Sequence, residues 1–278
     1  MKQDILAEII ANKRKEVKER KASISKEELI KEFGKGASHK PISARKALSE
    51  SGSGIIAEFK RRSPSKGWIH PDAKIEEVVP EYCNSGASVC SVLTDSKFFG
   101  GNTADFIKAR ELANIPLLRK DFIIDEYQIY ESRIIGADVI LLIAAALSPE
   151  ECRILAAKAK ELGMETLLEI HEASELQYLS KDIDLLGINN RNLGTFHTDV
   201  QNSMSLSEEV ERYLKDNPEK HSSPLLIAES GISTPETVLS LQEKGFKGFL
   251  IGEAFMKCDS PAKALQDFIE QIAKSGQL

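Results

Sequence analysis

Five polar side chains sit where buried apolar runs stop. Lys60 follows Ile55-Ile56-Ala57-Glu58-Phe59, Lys120 follows Pro116-Leu117-Leu118-Arg119, and Glu169 ends Thr166-Leu167-Leu168. Asn189 ends Leu185-Leu186-Gly187-Ile188, and Glu229 ends Leu225-Leu226-Ile227-Ala228. Taking an unpaired charge out of water is costly, so ionisable groups at the ends of core strands are usually in use. Ammonium and carboxylate groups drawn together could do general acid–base work: the ammonium protonates a developing alkoxide and the carboxylate removes a proton. A lysine crowded by other cations would have a lowered pKa suited to donation.

Strand geometry tests whether these groups converge. Side chains alternate between the two faces of a strand, which puts Ile56, Glu58 and Lys60 on one face and Ala57 and Phe59 on the other. The same count groups Leu118 with Lys120, Leu167 with Glu169, Gly187 with Asn189 and Arg191, and Ile227 with Glu229. Each charge taken singly could be a rim salt bridge, Lys60 with Glu58 or Lys120 with Asp121. A whole ring of ions kept only for stability is a poor device, because buried pairs seldom repay their desolvation.

The elements that must hold this ring are legible as alternating β and α patterns. Eight β-branched, apolar runs lie near 55–59, 89–93, 116–119, 138–143, 165–170, 184–188, 224–228 and 247–251. Their spacing leaves room for one helix between successive strands, the pattern of a parallel sheet, and eight units predict a closed (β/α)8 TIM barrel with an N-terminal helical extension. Asp125-Glu126-Tyr127-Gln128 has the form of a capping box, with Gln128 expected to reach back to the cap. Ser148-Pro149-Glu150-Glu151 and Thr234-Pro235-Glu236 open further helices. The expectation is one domain over 1–278, with an extension over 1–50 and the barrel over 51–278. In the extension, Ile5, Leu6, Ile9 and Ile10 form an apolar stripe beside Lys13, Arg14 and Lys15, read as a helix that lids the barrel rather than as a basic arm for a partner.

Composition narrows the function classes. A net charge of −6 and a pI near 5.6 argue against non-specific nucleic-acid binding while allowing a local pocket for a phosphorylated metabolite. Cys83, Cys90, Cys152 and Cys258 form no CxxC pair and read as reduced core thiols. The five histidines form no HxxxH or HExxH, which argues against zinc, and His171 reads as a structural residue with no partner in view. No apolar run approaches a membrane span, and Met1 to Ile10 lacks a signal-type core, so a cytoplasmic protein is expected, with a monomer favoured.

The loops add phosphate chemistry. Ser63-Pro64-Ser65-Lys66-Gly67 follows the first strand, Ser230-Gly231-Ile232-Ser233 the seventh, and Gly252-Glu253-Ala254 the eighth at a helix start. Glycine lets backbone amides approach an anion, and the loops after strands 7 and 8 are where such barrels commonly grip phosphate.

In order and type, several segments resemble the indole-3-glycerol phosphate synthase family. They are Ile56 through Gly67 (IAEFKRRSPSKG), Leu118-Arg119-Lys120-Asp121-Phe122, Leu168-Glu169-Ile170-His171, Gly187 through Leu193 (GINNRNL), and Glu229-Ser230-Gly231-Ile232. The resemblance implies a carbon–carbon lyase of tryptophan biosynthesis. Its reaction closes 1-(2-carboxyphenylamino)-1-deoxyribulose 5-phosphate to indole-3-glycerol phosphate, with loss of CO2 and water and with neither metal nor organic cofactor. By position it makes Lys120 the general acid at the carbonyl oxygen and Glu169 the acid or base of dehydration. Lys60 stands near the substrate carboxylate and exchanges roles with Lys120, while Glu58 and Asn189 orient these groups. Arg191, Glu229 and Ser230 bind substrate, and Ser63, Gly231, Gly252 and Glu253 match phosphate-side positions. Trp68 departs from the smaller aliphatic residue expected after the Ser-Pro-Ser-Lys-Gly loop. Two other readings remain open on the residues alone: a Schiff-base aldolase-type barrel using Lys120 or Lys60 as nucleophile, and a non-catalytic phosphometabolite-binding barrel.

Overall fold

The computed structural model describes residues 5–34, 39–192, 194 and 197–275. Three helices precede the first strand: α1 (Ile5–Ser23), α2 (Lys26–Gly34) and α3 (Ala44–Glu50). Strand β1 (Ile55–Phe59) leads into a short hairpin of β2 (Arg62–Ser63) and β3 (Gly67–Trp68). Seven further strands follow: β4 (Val89–Leu93), β5 (Leu117–Lys120), β6 (Val139–Ile143), β7 (Glu165–Ile170), β8 (Leu185–Asn189), β9 (Leu225–Glu229) and β10 (Phe246–Ile251). Around them run α4 (Ile75–Asn84), α5 (Ser96–Phe99), α6 (Thr103–Leu112), α7 (Glu126–Ile134), α8 (Pro149–Glu161), α9 (Gln201–Asp216), α10 (Pro235–Glu243), α11 (Glu253–Met256) and α12 (Pro261–Ser275). β1 and β4 to β10 pair in parallel around a closed barrel, with β1 hydrogen-bonded to both β4 and β10. The eight expected strands and the extension are all present, with ends within a residue of those read from the apolar runs.

Two apolar layers follow from the alternation of side chains. Ile56, Val89, Leu118, Val139, Leu141, Leu167, Leu185, Ile227 and Leu250 fill the barrel. Ala57, Phe59, Cys90, Val92, Ile140, Leu142, Leu168, Ile188, Ala228 and Phe249 face the helices. Most strand positions are therefore buried on both faces, as a parallel barrel requires. Ala44 and Leu48 of α3 join the interior layer and plug the amino-terminal floor.

Helix starts follow their capping residues, with one correction. Ser148 and Glu151 form a reciprocal capping box at α8, and Thr234 caps α10 through the Thr237 amide. At α7, Asp125 does cap, accepting from the Tyr127 amide at 2.9 Å, but Gln128 does not return to the cap. Its Oε1 accepts from the Ile124 amide and its Nε2 donates to the Phe122 carbonyl, each at 2.9 Å, so it braces the loop after β5 instead.

The extension departs from a simple amphipathic lid. Lys13, expected on its polar side, has a side chain only 1% exposed, and its Nζ lies 2.9 Å from both Asp95 and Asp121 and 2.8 Å from Glu16. The carboxylates after β4 and β5 thus draw an ammonium from α1 into the protein. Asp121 also pairs with Arg119 and accepts from Thr94. All four cysteines are free; Cys90 and Cys152 are buried, whereas Cys83 and Cys258 are half-buried rather than core. Among the described residues no helix is long and apolar enough to cross a membrane.

Candidate active site

At the carboxyl-terminal mouth of the barrel lies a cavity of about 550 Å³, within the range of small-molecule sites. Glu58, Lys60, Lys120, Glu169, Asn189, Arg191 and Glu229 all line it. The parity count is the reason: each follows an interior apolar residue by two, four or, for Arg191, six positions, so strand alternation delivers it inward at the level where the apolar filling ends.

The contacts form a connected group around Lys120 and a separate Lys60–Glu58 pair. Lys120 Nζ donates to Glu229 Oε2 and lies 3.3 Å from Glu169 Oε2. Asn189 Nδ2 donates to the other oxygen of Glu169 at 2.9 Å, and Asn189 Oδ1 in turn accepts from the Arg191 amide at 2.9 Å. Lys60 Nζ donates to Glu58 Oε1 at 2.5 Å. Lys60 therefore does make the local pair with Glu58, but Lys120 ignores Asp121, whose carboxylate is taken by Lys13 and Arg119.

Two close approaches set the carboxylate positions. A methyl group on Gly187 would fall 2.2 Å from Glu229 Oε1, and one on Gly252 would fall 2.4 Å from Glu58 Oε1. Glycine at these positions leaves the space into which the carboxylates lean.

The electrostatics correct one expectation. Lys120 is surrounded by anions, not cations. Burial pulls its pKa down, yet Glu229, Glu169 and Glu58 outweigh it and hold the ammonium above its ordinary range. Burial pushes Glu229 up to about 7, against the pull of Lys120. Burial also acts to raise Glu169, but Lys120, His171 and Asn189 hold its carboxyl below the usual value. Two neighbouring carboxylates with opposed shifts can hold and accept protons in the same pH range.

Toward the rim the contacts are more polar. Arg191 Nη1 donates to Ser65 Oγ at 2.9 Å, and Glu253 faces both Arg191 at 3.7 Å and Lys66 at 3.5 Å. Ser230, Gly231, Gly252, Glu253 and Lys257 line this end. Ser230 takes a left-handed backbone with φ of 66°, and Gly231 follows at 75°, where any Cβ would meet Thr198 at 2.5 Å. Ser63 stands one layer behind the cavity wall. It is buried and does not line the cavity; its hydroxyl accepts from the Lys66 amide within its own loop, and Ser65 takes the lining position. Trp68 is 57% exposed, with its ring against Gly100 and the Arg62 guanidinium 5.6 Å from its centroid. Leu193 lies outside the described residues.

Sequence reasoning overlooked the apolar wall. Leu93, Phe99, Phe122, Leu141 and Ile143 line the cavity, joined by Ile5, Leu6 and Ile9 of α1. The α1 stripe was visible as a pattern, but nothing in it indicated which barrel end it covers. His171, close after Glu169 in sequence, places Nε2 3.6 Å from Glu169 Oε1.

A closed parallel barrel with ammonium and carboxylate groups gathered at its carboxyl-terminal mouth defines a TIM-barrel enzyme site. A sequence profile for indole-3-glycerol phosphate synthase matches residues 6–268. The chain is 54% identical over 271 residues to the indole-3-glycerol phosphate synthase of Bacteroides thetaiotaomicron, covering 97% of this chain and 99% of that one. It is 40% identical over 266 residues to that of Acidithiobacillus ferrooxidans, covering 95% and 97%. The chain belongs to the indole-3-glycerol phosphate synthase family. Solved structures share the fold at low identity: KGPDC from Streptococcus mutans has a TM-score of 0.57 at 11% identity, covering 79% of this chain and 97% of its own. Thiamine phosphate pyrophosphorylase from Pyrococcus furiosus has 0.58 at 14%, covering 84% and 98%.

Proposed function

We propose that this protein is the lyase that closes 1-(2-carboxyphenylamino)-1-deoxyribulose 5-phosphate to indole-3-glycerol phosphate in tryptophan biosynthesis, by general acid–base catalysis with Lys120 and Glu169 at its centre. The observation that carries this reading is the meeting of the Lys120 ammonium with Glu169 and Glu229 in one cavity, beside the Lys60–Glu58 pair. Lys120 protonates the ketone oxygen as the carboxyl-bearing aryl carbon attacks. Its anionic surroundings keep it charged, which favours a proton donor over the neutral amine that Schiff-base chemistry needs. Lys60 faces the substrate carboxylate and supplies a second proton in the dehydration. Glu169, oriented by Asn189, removes the proton from the methylene carbon.

Glu58 holds Lys60, and Glu229 holds Lys120. The aryl ring lies against Phe99, Phe122 and the α1 stripe, and the phosphate lies toward Lys66, Lys257, Ser230, Gly231 and Gly252. Glu253 acts there through Arg191 and Lys66, since its own charge repels phosphate. Ser63 shapes the loop that presents Ser65. The extension and the barrel act as one catalytic unit, because both line the cavity. A closed barrel without open strand edges fits a monomer, and free thiols with a phosphorylated substrate fit the cytoplasm.

Incubation with the carboxyphenylamino-deoxyribulose phosphate, followed by indole fluorescence, tests the reaction. Lys120→Ala and Glu169→Gln are expected to lower kcat on the order of 10²-fold or more with the fold intact. Absence of product at micromolar wild-type enzyme overturns the reading, and unchanged kcat in both variants overturns the roles.

A further inference from the structure

His171 follows Glu169 by two positions at the end of β7, so both side chains leave the chain on the same side. Its ring nitrogens are both buried and neither makes a hydrogen bond. Nε2 stands 3.6 Å from Oε1 of Glu169, and Nδ1 stands 3.9 Å from Oε2 of Glu175; the His171 and Glu175 side chains keep 15% and 13% of their surface in solvent, against 5% for Glu169. The Glu175 carboxylate is itself held by the backbone amides of His171, at 2.6 Å, and Glu172, at 3.3 Å. On the side of β8 and α9, Asn189 donates to Glu169, and Asn202 donates to the carbonyls of His171 and Asn189. Among the described residues, the carboxylates within 4 Å of the ring nitrogens are thus one catalytic and one solvent-side. His171 does not line the cavity.

An imidazole whose two nitrogens are buried and unbonded leaves its donor and acceptor capacity unused. Two tight hydrogen bonds would fix one tautomer. A ring poised just beyond bonding distance of an acid on each side can instead accept a proton at one nitrogen and release another from the opposite one.

The reaction needs such a supply. At neutral pH the substrate arrives as a carboxylate. Ring closure joins the carboxyl-bearing aryl carbon to the ketone carbon; the bond to the carboxyl group then breaks, its electron pair restores the aryl ring, and CO2 leaves uncharged. The ketone oxygen departs as water with two protons. One is balanced by the proton lost from the methylene carbon as it becomes a ring CH, and the other must come from solvent. Each turnover therefore leaves the site one proton short.

We propose that His171 is the relay that carries this proton from Glu175 to Glu169, from which it passes to Lys120 across 3.3 Å. The proposal rests on the acid–base role of Glu169 given above. His171 takes a proton at Nδ1 from the solvent-side carboxyl and releases one from Nε2, so it is a positioning and relay residue that never touches substrate.

His171→Ala in the full-length enzyme is expected to lower kcat about tenfold at pH 7, with KM within about twofold of wild type and an enlarged solvent deuterium isotope effect. Added imidazole should restore kcat, a recovery that loss of packing alone would not show. Glu175→Gln, which leaves the histidine in place, should lower kcat about threefold with the same change in isotope effect. Wild-type kcat and isotope effect in either variant overturn the relay, as does a loss in His171→Ala that imidazole fails to recover. Glu169→Gln in the same assay separates the two readings: full activity there removes the role of Glu169, whereas an inactive Glu169→Gln beside a fully active His171→Ala removes only the relay.

Discussion

Replacing Lys13 with methionine keeps the length of the side chain and removes its charge. In the native protein the ammonium lies 2.9 Å from Asp95 Oδ2 and 2.9 Å from Asp121 Oδ1, with all three side chains at most 1% exposed. At an effective dielectric of 20 each contact is worth roughly 6 kcal/mol of Coulomb energy, offset by several kcal/mol of desolvation per ion. Asp121 would keep Arg119 and Thr94, and Asp95 Oδ1 would keep the Phe98 amide, but Asp95 Oδ2 would lose its cation. Breaking such a pair from one side costs about 3–5 kcal/mol. For a chain of 278 residues that corresponds to a Tm decrease on the order of 5–10 °C.

Burial acts to raise the Asp121 pKa, but Arg119 and Lys13 overcome it and hold the carboxyl well below the usual range. A depressed carboxyl contributes stability that is present above its unfolded value near 3.8 and is lost as pH falls toward the folded value. The penalty of Lys13→Met should therefore be largest at neutral pH and shrink below about pH 4. Urea unfolding at pH 7 and pH 3, with steady-state kinetics beside it, measures both. KM should rise more than kcat falls, because Ile5, Leu6 and Ile9 of the loosened helix line the cavity. A loss under about 1 kcal/mol at neutral pH, or one equal at both pH values, refutes the reasoning.

Gly187→Ala places a methyl group 2.2 Å from Glu229 Oε1, so the carboxylate must leave Lys120; a fall in kcat of about tenfold or more is expected in the fluorescence assay, with a stability cost of about 1–3 kcal/mol. Glu229, raised to about 7 by burial, binds its proton more tightly folded than unfolded. Its contribution is complete below about 4.5 and lost as pH rises through 7, so Glu229→Gln should flatten the decline in urea midpoint between pH 5 and pH 8. Leu48→Ala, at the floor of the barrel, should cost about 2–5 kcal/mol in unfolding experiments while leaving KM unchanged, because the cavity lies at the other end.

The barrel was legible because its strands are apolar on both faces and helix starts such as those at Asn102, Asp125, Ser148 and Thr234 carry side-chain caps, signals that depend on residues near one another in sequence. The inward direction of Lys60, Lys120, Glu169, Asn189 and Glu229 was legible for the same reason, since alternation along one strand fixes it. Pairing across strands was not. Whether Lys120 would meet Asp121, its neighbour in sequence, or Glu229, 109 residues away, depends on barrel closure, as does the sign of the field around it. Lys13 illustrates the same limit. A lysine beside Arg14 and Lys15 reads as solvated until the fold brings two aspartates to it. Ser63 and Ser65 differ by two positions in one loop, and only the turn of the hairpin decides which reaches the cavity.

The seam between β1 and β10 matches Ile55 with Phe249 and Ala57 with Ile251, joining the earliest and latest staves of the cylinder. Glu58 extends from one side of that seam and leans over Gly252 on the other. During synthesis, a polypeptide lacking its last stave already has Lys60, Lys120, Glu58, Glu169 and Glu229 but no enclosed chamber to hold them. Turnover by the nascent enzyme should switch on abruptly, once the final stretch clears the ribosome and the seam zips.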